Sequence, residues 1–215
     1  TIANQTVAQN ASDPTIDISV NSGTDTGSVA VEIITDDSVN VTATVDPSVT
    51  FSISDTNIGF NTLTTANDCF AVGTPSGGAC DTTFPPVAAH TLTAGTNGAG
   101  GVTVTYNGAL MTSAGNDINA ATITGDTTNP VGDPGNTEQF ALGFDDNGST
   151  FTMASGYDQN AGDYKFVAAT TETIFSSSGP VSSTAVDAHY LANIAANTPA
   201  GNYSTSITYI ATATF

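Results

Sequence analysis

Tyr203-Ser204-Thr205-Ser206-Ile207-Thr208-Tyr209-Ile210-Ala211-Thr212-Ala213-Thr214-Phe215 decides the fold class. Its odd positions are mostly apolar and its even positions mostly Thr or Ser. Successive side chains of a strand point to opposite faces, so this pattern gives one dry face and one wet face. Pro199-Ala200-Gly201-Asn202 supplies the turn that feeds it. The stretch is longer than an ordinary strand of about five or six residues. It runs to Phe215 without a polar tail. Because chain ends fray unless tied down, the expectation is a C-terminal strand buried in the middle of a sheet.

The same alternation recurs upstream. Ile16, Ile18 and Val20 alternate with Asp17 and Ser19; Val29, Val31 and Ile33 follow, then Val39, Val41, Ala43 and Val45, then Val49, Phe51 and Ile53. Asn-Ser-Gly, Asp-Asp-Ser and Asp-Pro turns separate these runs, which predicts an antiparallel meander with one wet face. Further strands are expected at 102–106, 120–124, 139–144, 150–153, 164–168 and 173–175. The nearest approach to a helical pattern is Val186, Tyr190 and Ile194. Tyr190, Ala192 and Ile194 also alternate there, and the flanks are rich in Thr, Ser and Pro, so a strand is preferred.

The fold class is therefore all-β: an antiparallel β-sandwich, Ig-like or jelly-roll-like, with an extended N-terminal arm. Residues 1–14 form the arm and 15–215 a single sandwich domain. Long loops are expected at 62–101 and 125–136, where Gly, Thr and Pro accumulate. Thr1 to Ser12 has no turn partner of its own, and Asp13-Pro14 separates it from the first regular strand. Such an arm can add to the open edge of a neighbouring subunit. Ile2, Ala3, Val7, Ala8 and Ile16 would be its assembly contacts.

Charge excludes several partners. One Lys, Lys165, and no Arg stand against 20 acidic residues, for a net charge of −19. Phosphate backbones are neutralised by Lys and Arg, so nucleic acid is excluded. Anionic membrane surfaces are disfavoured for the same reason, and no apolar run reaches the length of a membrane-spanning helix. The chain opens on Thr1-Ile2-Ala3 without an initiator Met, which reads as mature protein after removal of a targeting segment. Cys69 and Cys80 are the only cysteines and bracket the turn-rich 70–79. A local disulfide and an oxidising compartment follow, since no further ligand for zinc lies in sequence reach.

Gly98-Ala99-Gly100-Gly101-Val102-Thr103-Val104-Thr105-Tyr106-Asn107-Gly108, followed by Leu110-Met111-Thr112-Ser113, resembles a motif of Thr-rich bacterial surface proteins, particularly those of small-genome candidate phyla. Tyr190-Leu191-Ala192-Asn193-Ile194, Thr198-Pro199-Ala200-Gly201-Asn202-Tyr203 and Ile207-Thr208-Tyr209 are similar to the closing strands of the same group. That ending also resembles WxL-type wall proteins and the β-sandwich subunits of extracellular fibres. The likeness covers roughly residues 98–215, with a weaker match at 39–60. The chain has no Trp, so it lacks the WxL signature itself. The resemblance implies a secreted β-sandwich at a cell surface and says little about activity.

Catalytic signatures are missing. His90 and His189 are the two histidines, and Asp187 shares a strand face with His189. No Gly-x-Ser-x-Gly elbow and no phosphate-binding loop accompany them. The expectation is a protein that is not an enzyme and has no cofactor. Two acidic loops carry the oxygen donors that Ca²⁺ takes, Asp145/Asp146/Asn147 and Asp158/Asn160/Asp163, although plain hairpin turns use the same residues. Lys165 could cross-link to Asn or Asp; the plainer reading is a solvent-facing strand residue. Glycosylation sequons occur at Asn4, Asn10, Asn40, Asn147 and Asn202.

The expected function is an extracellular structural subunit that polymerises with copies of itself into a surface filament or pilus by N-terminal strand donation. A surface-layer or wall protein is the alternative. An adhesin is disfavoured by the absence of Trp and the few Tyr.

Overall fold

The computed structural model describes residues 15–22, 24–32, 39–125 and 132–215. Contacts divide the chain into two compact units, Thr1–Val45 and Asp46–Phe215.

The first unit contains a hairpin of β1 (Thr15–Ser22) and β2 (Asp25–Glu32), paired antiparallel from Thr15↔Glu32 to Ser22↔Asp25. Ile16 stands opposite Val31 and Ile18 opposite Val29, so the alternation fixes the register. The expected strand at Val39, Val41, Ala43 and Val45 does not form: residues 39–48 carry no regular structure and are exposed throughout.

The second unit is a β-sandwich. One sheet has the order β3 (Val49–Ile53), β5 (His90–Thr96), β14 (Val181–Asn193), β10 (Gln139–Asp145), β12 (Tyr164–Lys165), β9 (Thr122–Ile123), with β4 (Cys69–Phe70) also paired to β14. The other has the order β11 (Thr152–Met153), β13 (Glu172–Ser176), β6 (Val102–Gly108), β15 (Ile207–Ala213). All these pairings are antiparallel. β7 (Met111–Ser113) and β8 (Asn116–Ile118) make a separate small hairpin.

Period two explains which side chains meet between the sheets. Val102, Val104 and Tyr106 of β6 are buried, as are Phe140, Leu142 and Phe144 of β10 and Val186, Ala188, Tyr190 and Ala192 of β14. Intervening residues of the larger sheet face its other side, where Ala141 and Leu191 join Phe70, Tyr164, Ile123 and Ala121 in a second apolar cluster capped by Phe84. β14 is buried on both faces over its second half. A two-sided apolar run of that kind is hard to tell from a helix by pattern alone.

β4 and β5 lie inside the expected loop 62–101. Leu92 and Ala94 of β5 are fully buried. Gly95, which breaks the sequence pattern, is needed where β14 shifts register: a Cβ there would stand 2.8 Å from the Ser183 amide nitrogen. Gly101 closes the turn into β6 at φ +78°, with its would-be Cβ only 2.0 Å from the Ser177 carbonyl oxygen, so no larger residue fits. Of the second expected loop, residues 126–131 lie outside the described residues.

Two further expectations are corrected. The C-terminal strand is neither thirteen residues long nor mid-sheet; β15 covers Ile207–Ala213 and forms the edge of the smaller sheet. Ser204 forms an isolated bridge to Thr112. Lys165 does not face solvent freely: its Nζ lies 2.7 Å from Glu172 Oε2, half-buried, and sits 5.1 Å above the Tyr157 ring. Its partner is a Glu, where the cross-link reading required Asn or Asp.

Candidate functional site

β15 pairs with β6 through seven residue pairs, from Ile207↔Gly108 to Ala213↔Val102. Among the described residues no strand pairs with its other side. Its sequence, Ile-Thr-Tyr-Ile-Ala-Thr-Ala, contains no charge, proline or bulge. Edge strands are ordinarily protected by just those devices, because unpaired N–H and C=O groups recruit another strand. Ile207, Tyr209 and Ala211 point into the sandwich, yet they are only half-buried, while their neighbours Tyr106 and Val104 on β6 are sealed. The core is thus only partly covered along this edge. On the outer face Ile210 is 48% exposed.

The strand is nevertheless held firmly from inside. The Tyr190 hydroxyl bonds to Tyr209 OH and, at 2.7 Å, to His90 Nε2. β5, β14 and β15 are thereby clipped together across the core. Burial pushes the Tyr190 and Tyr209 hydroxyls well above the usual phenol range. At the end of the strand the Gly100 amide donates to the Thr214 carbonyl at 3.0 Å and the Thr214 amide donates to Gly101 at 2.9 Å.

A second feature lies on the outer face of the larger sheet. Asp145 of β10 stands directly across from Asp187 of β14, and His189 follows two residues along, opposite Gly143. With Gln159, Asn160 and the stretch 84–88 they line a pocket of about 510 Å³. Burial pulls the His189 imidazole below its ordinary pKa, with Asp187 and Asp145 partly restoring it. His90 is lowered too, again chiefly by burial and partly offset by Asp55.

The two acidic loops meet beside this pocket, and their carboxylates accept hydrogen bonds from turn amides and from neighbouring loops. Asp145 Oδ1 accepts from the Asn147 amide at 2.7 Å and from Asn160 Nδ2 at 2.6 Å. Asp146 Oδ1 accepts from the Gly148 amide, Asp158 Oδ1 from the Asn160 amide and Asp163 Oδ1 from the Gly125 amide. Among the described residues no three His, Cys, Asp or Glu side chains come together as a metal site.

Of the expected assembly residues, Ile16 lies in β1; Ile2, Ala3, Val7 and Ala8 lie outside the described residues. Cys69 and Cys80 form the disulfide, with Cα atoms 5.5 Å apart. Asn40, Asn147 and Asn202 are exposed; Asn4 and Asn10 lie outside the described residues. Among the described residues no helix is long and apolar enough to cross a membrane. Sequence reading missed the open edge because it took a long uncharged strand as a buried one; the lack of charge was the usable signal. The Asp145–Asp187 pairing depends on register and has no sequence signature. No family model, curated protein or solved structure matches the chain.

The two lowered imidazoles set a pH dependence. The unfolded chain takes up protons at the ordinary histidine pKa, 6.5, before the folded chain does. Stability is therefore full above that value and is lost as pH falls from about 6.5 through the lower folded pKa values. Asp68 acts oppositely in a lower window: burial raises its pKa, so its penalty is relieved as pH falls from the folded value towards 3.8. Urea midpoints between pH 8 and 5 should decline on acidification, and His90→Gln with His189→Gln should flatten the decline. A flat wild-type profile over that range would contradict this linkage.

Proposed function

We propose that the chain is an extracellular structural subunit that assembles with copies of itself into a surface filament by adding a strand to the sandwich of the next subunit. The observation that carries this reading is the uncharged open edge of β15, backed by core side chains that are only half-covered. Main-chain hydrogen bonds along such an edge give affinity, and the side-chain gaps beneath it give register. An edge that receives a strand from another part of a copy makes a head-to-tail contact, which can propagate instead of closing. The disulfide supports an oxidising location for the finished subunit. The sequence expectation names Thr1–Ser12 as the donated strand. The net charge of −19 supports contacts confined to neutral surfaces.

Thr208→Asp with Ile210→Asp tests this reading. Both side chains are exposed on the outer face of β15, so the subunit should keep its melting temperature. Two added carboxylates against an already acidic copy should convert polymers seen by negative-stain microscopy and sedimentation into monomers. Undiminished polymerisation of the variant would remove β15 from the interface.

A further inference from the structure

Val39-Asn40-Val41-Thr42-Ala43-Thr44-Val45 has the strand period, with its valines on one side and polar residues on the other. Among the described residues no strand pairs with this segment. Val39, Val41 and Val45 are 85%, 85% and 83% exposed, the most exposed large apolar residues described. Three valines of one face all in water make a strand that lacks its partner. The residues that follow the segment, Asp46 and Ser48, are held by hydrogen bonds. The Ser48 amide donates to Asn97 Oδ1 at 2.7 Å, Asn97 Nδ2 to the Asp46 carbonyl at 2.8 Å, and Thr96 Oγ1 to the Ser48 carbonyl at 3.0 Å. A fixed exit reduces the ordering that a docking event requires.

We propose that Val39–Val45 is completed by a second copy of this chain, lying as an added strand along the outer edge of that copy's β15. The inference rests on the assembly reading above and replaces Thr1–Ser12 as the donor. Length selects the acceptor within the sandwich: among the described residues its edge strands are β3 with five residues, β4, β9 and β11 with two each, and β15 with seven, the length of Val39–Val45. The hairpin strands β1 and β2 are long enough but carry Asp17, Asp25 and Glu32. β15 and Val39–Val45 carry no charge at all. In a chain of net charge −19, two copies approach most readily where neither presents a carboxylate. Each half of the pairing supplies what the other lacks: a strand with no ladder, and a ladder edge with no strand. On docking, the valines lie on the side of Ile207, Tyr209 and Ala211 and cover the half-exposed margin of the core.

Complementation between two full-length variants tests the proposal. The donor variant is Val39→Asp with Val41→Asp; the acceptor variant is Thr208→Asp with Ile210→Asp. Each should stay folded by circular dichroism. Each alone should be monomeric by sedimentation velocity at ten times the concentration at which the unmodified chain polymerises. Mixed, they should give a one-to-one dimer and nothing larger, because the intact edge of the donor variant meets the intact segment of the acceptor variant. A deletion of residues 1–12 should polymerise normally. If the donor variant polymerises like the unmodified chain while the acceptor variant stays monomeric, Val39–Val45 is not the donor and the assembly reading stands. A mixture that stays monomeric likewise overturns the pairing of these two segments. If the unmodified chain forms no polymer at any concentration, the assembly reading itself fails and the inference falls with it.

Discussion

Tyr190→Ala is expected to lower folding stability by about 5 kcal/mol, the sum of truncating a buried aromatic residue and stranding two buried polar partners. The ring is 4% exposed, stacks near Phe140 at 6.3 Å and near His90 at 5.6 Å, and projects from the central strand β14. Its hydroxyl bonds to both His90 Nε2 and the Tyr209 hydroxyl. Removing it leaves His90 Nε2 and the Tyr209 hydroxyl without that shared partner, next to His90 Nδ1, which already has none. A loss of that size is comparable with the whole stability of many domains, so the variant should be largely unfolded or show a urea midpoint near zero. Tyr190→Phe separates the two contributions: it keeps the ring and should lose only about 1–2 kcal/mol. Equal losses in the two variants would show that packing of the ring contributes little. Because Tyr209 lies on β15, Tyr190→Phe should also speed amide exchange along Ile207–Ala213 before it affects β10.

The parts of this fold that were legible in the sequence are those where one strand face is dry and the other wet. Thr103, Thr105 and Asn107 alternate with Val102, Val104 and Tyr106, and β6 lies where that pattern puts it. The β1–β2 hairpin follows from Ile16, Ile18, Val29 and Val31 in the same way. β5 was obscured because Gly95 and Thr96 look like loop residues, although the close passage of Ser183 is what demands the glycine. Two readings failed for a common reason. Alternation reports that a strand can form and has two unlike faces; it does not report whether a neighbour stands on either edge. Among the described residues, Val39–Val45 has the pattern and no paired strand, and β15 has the pattern and only one. Edges are a property of sheet order, which is set by distant segments such as β6 and β13. The acidic pocket was half legible: Asp187 and His189 share a face by spacing alone, whereas Asp145 joins them only through the β10–β14 register.

Cys69→Ala with Cys80→Ala is expected to lower stability by about 3 kcal/mol, the loop-closure value for a sequence separation of 11. The main effect is on the unfolded chain, which gains freedom when the loop opens. The dependence of stability on urea should therefore steepen as the midpoint falls, since a less constrained unfolded state exposes more surface. The native side contributes as well. Cys69 is fully buried in the main core, and the bridge holds a loop that is knitted to the sheet by backbone bonds: Phe70 N to Asp81 O at 2.7 Å, Cys80 N to Thr62 O at 3.1 Å, and Ala71 N to Tyr190 O at 3.0 Å. The last of these ties the disulfide loop to the residue whose side chain clips the two sheets together. The disulfide pair and Tyr190→Phe should then be non-additive, with a coupling above about 0.5 kcal/mol in a double-mutant cycle. The sign should be that of shared support: once the loop is released from β14, Tyr190 is held less well and its hydroxyl contributes less. Strict additivity would instead mean that the loop and the tyrosine clip act independently.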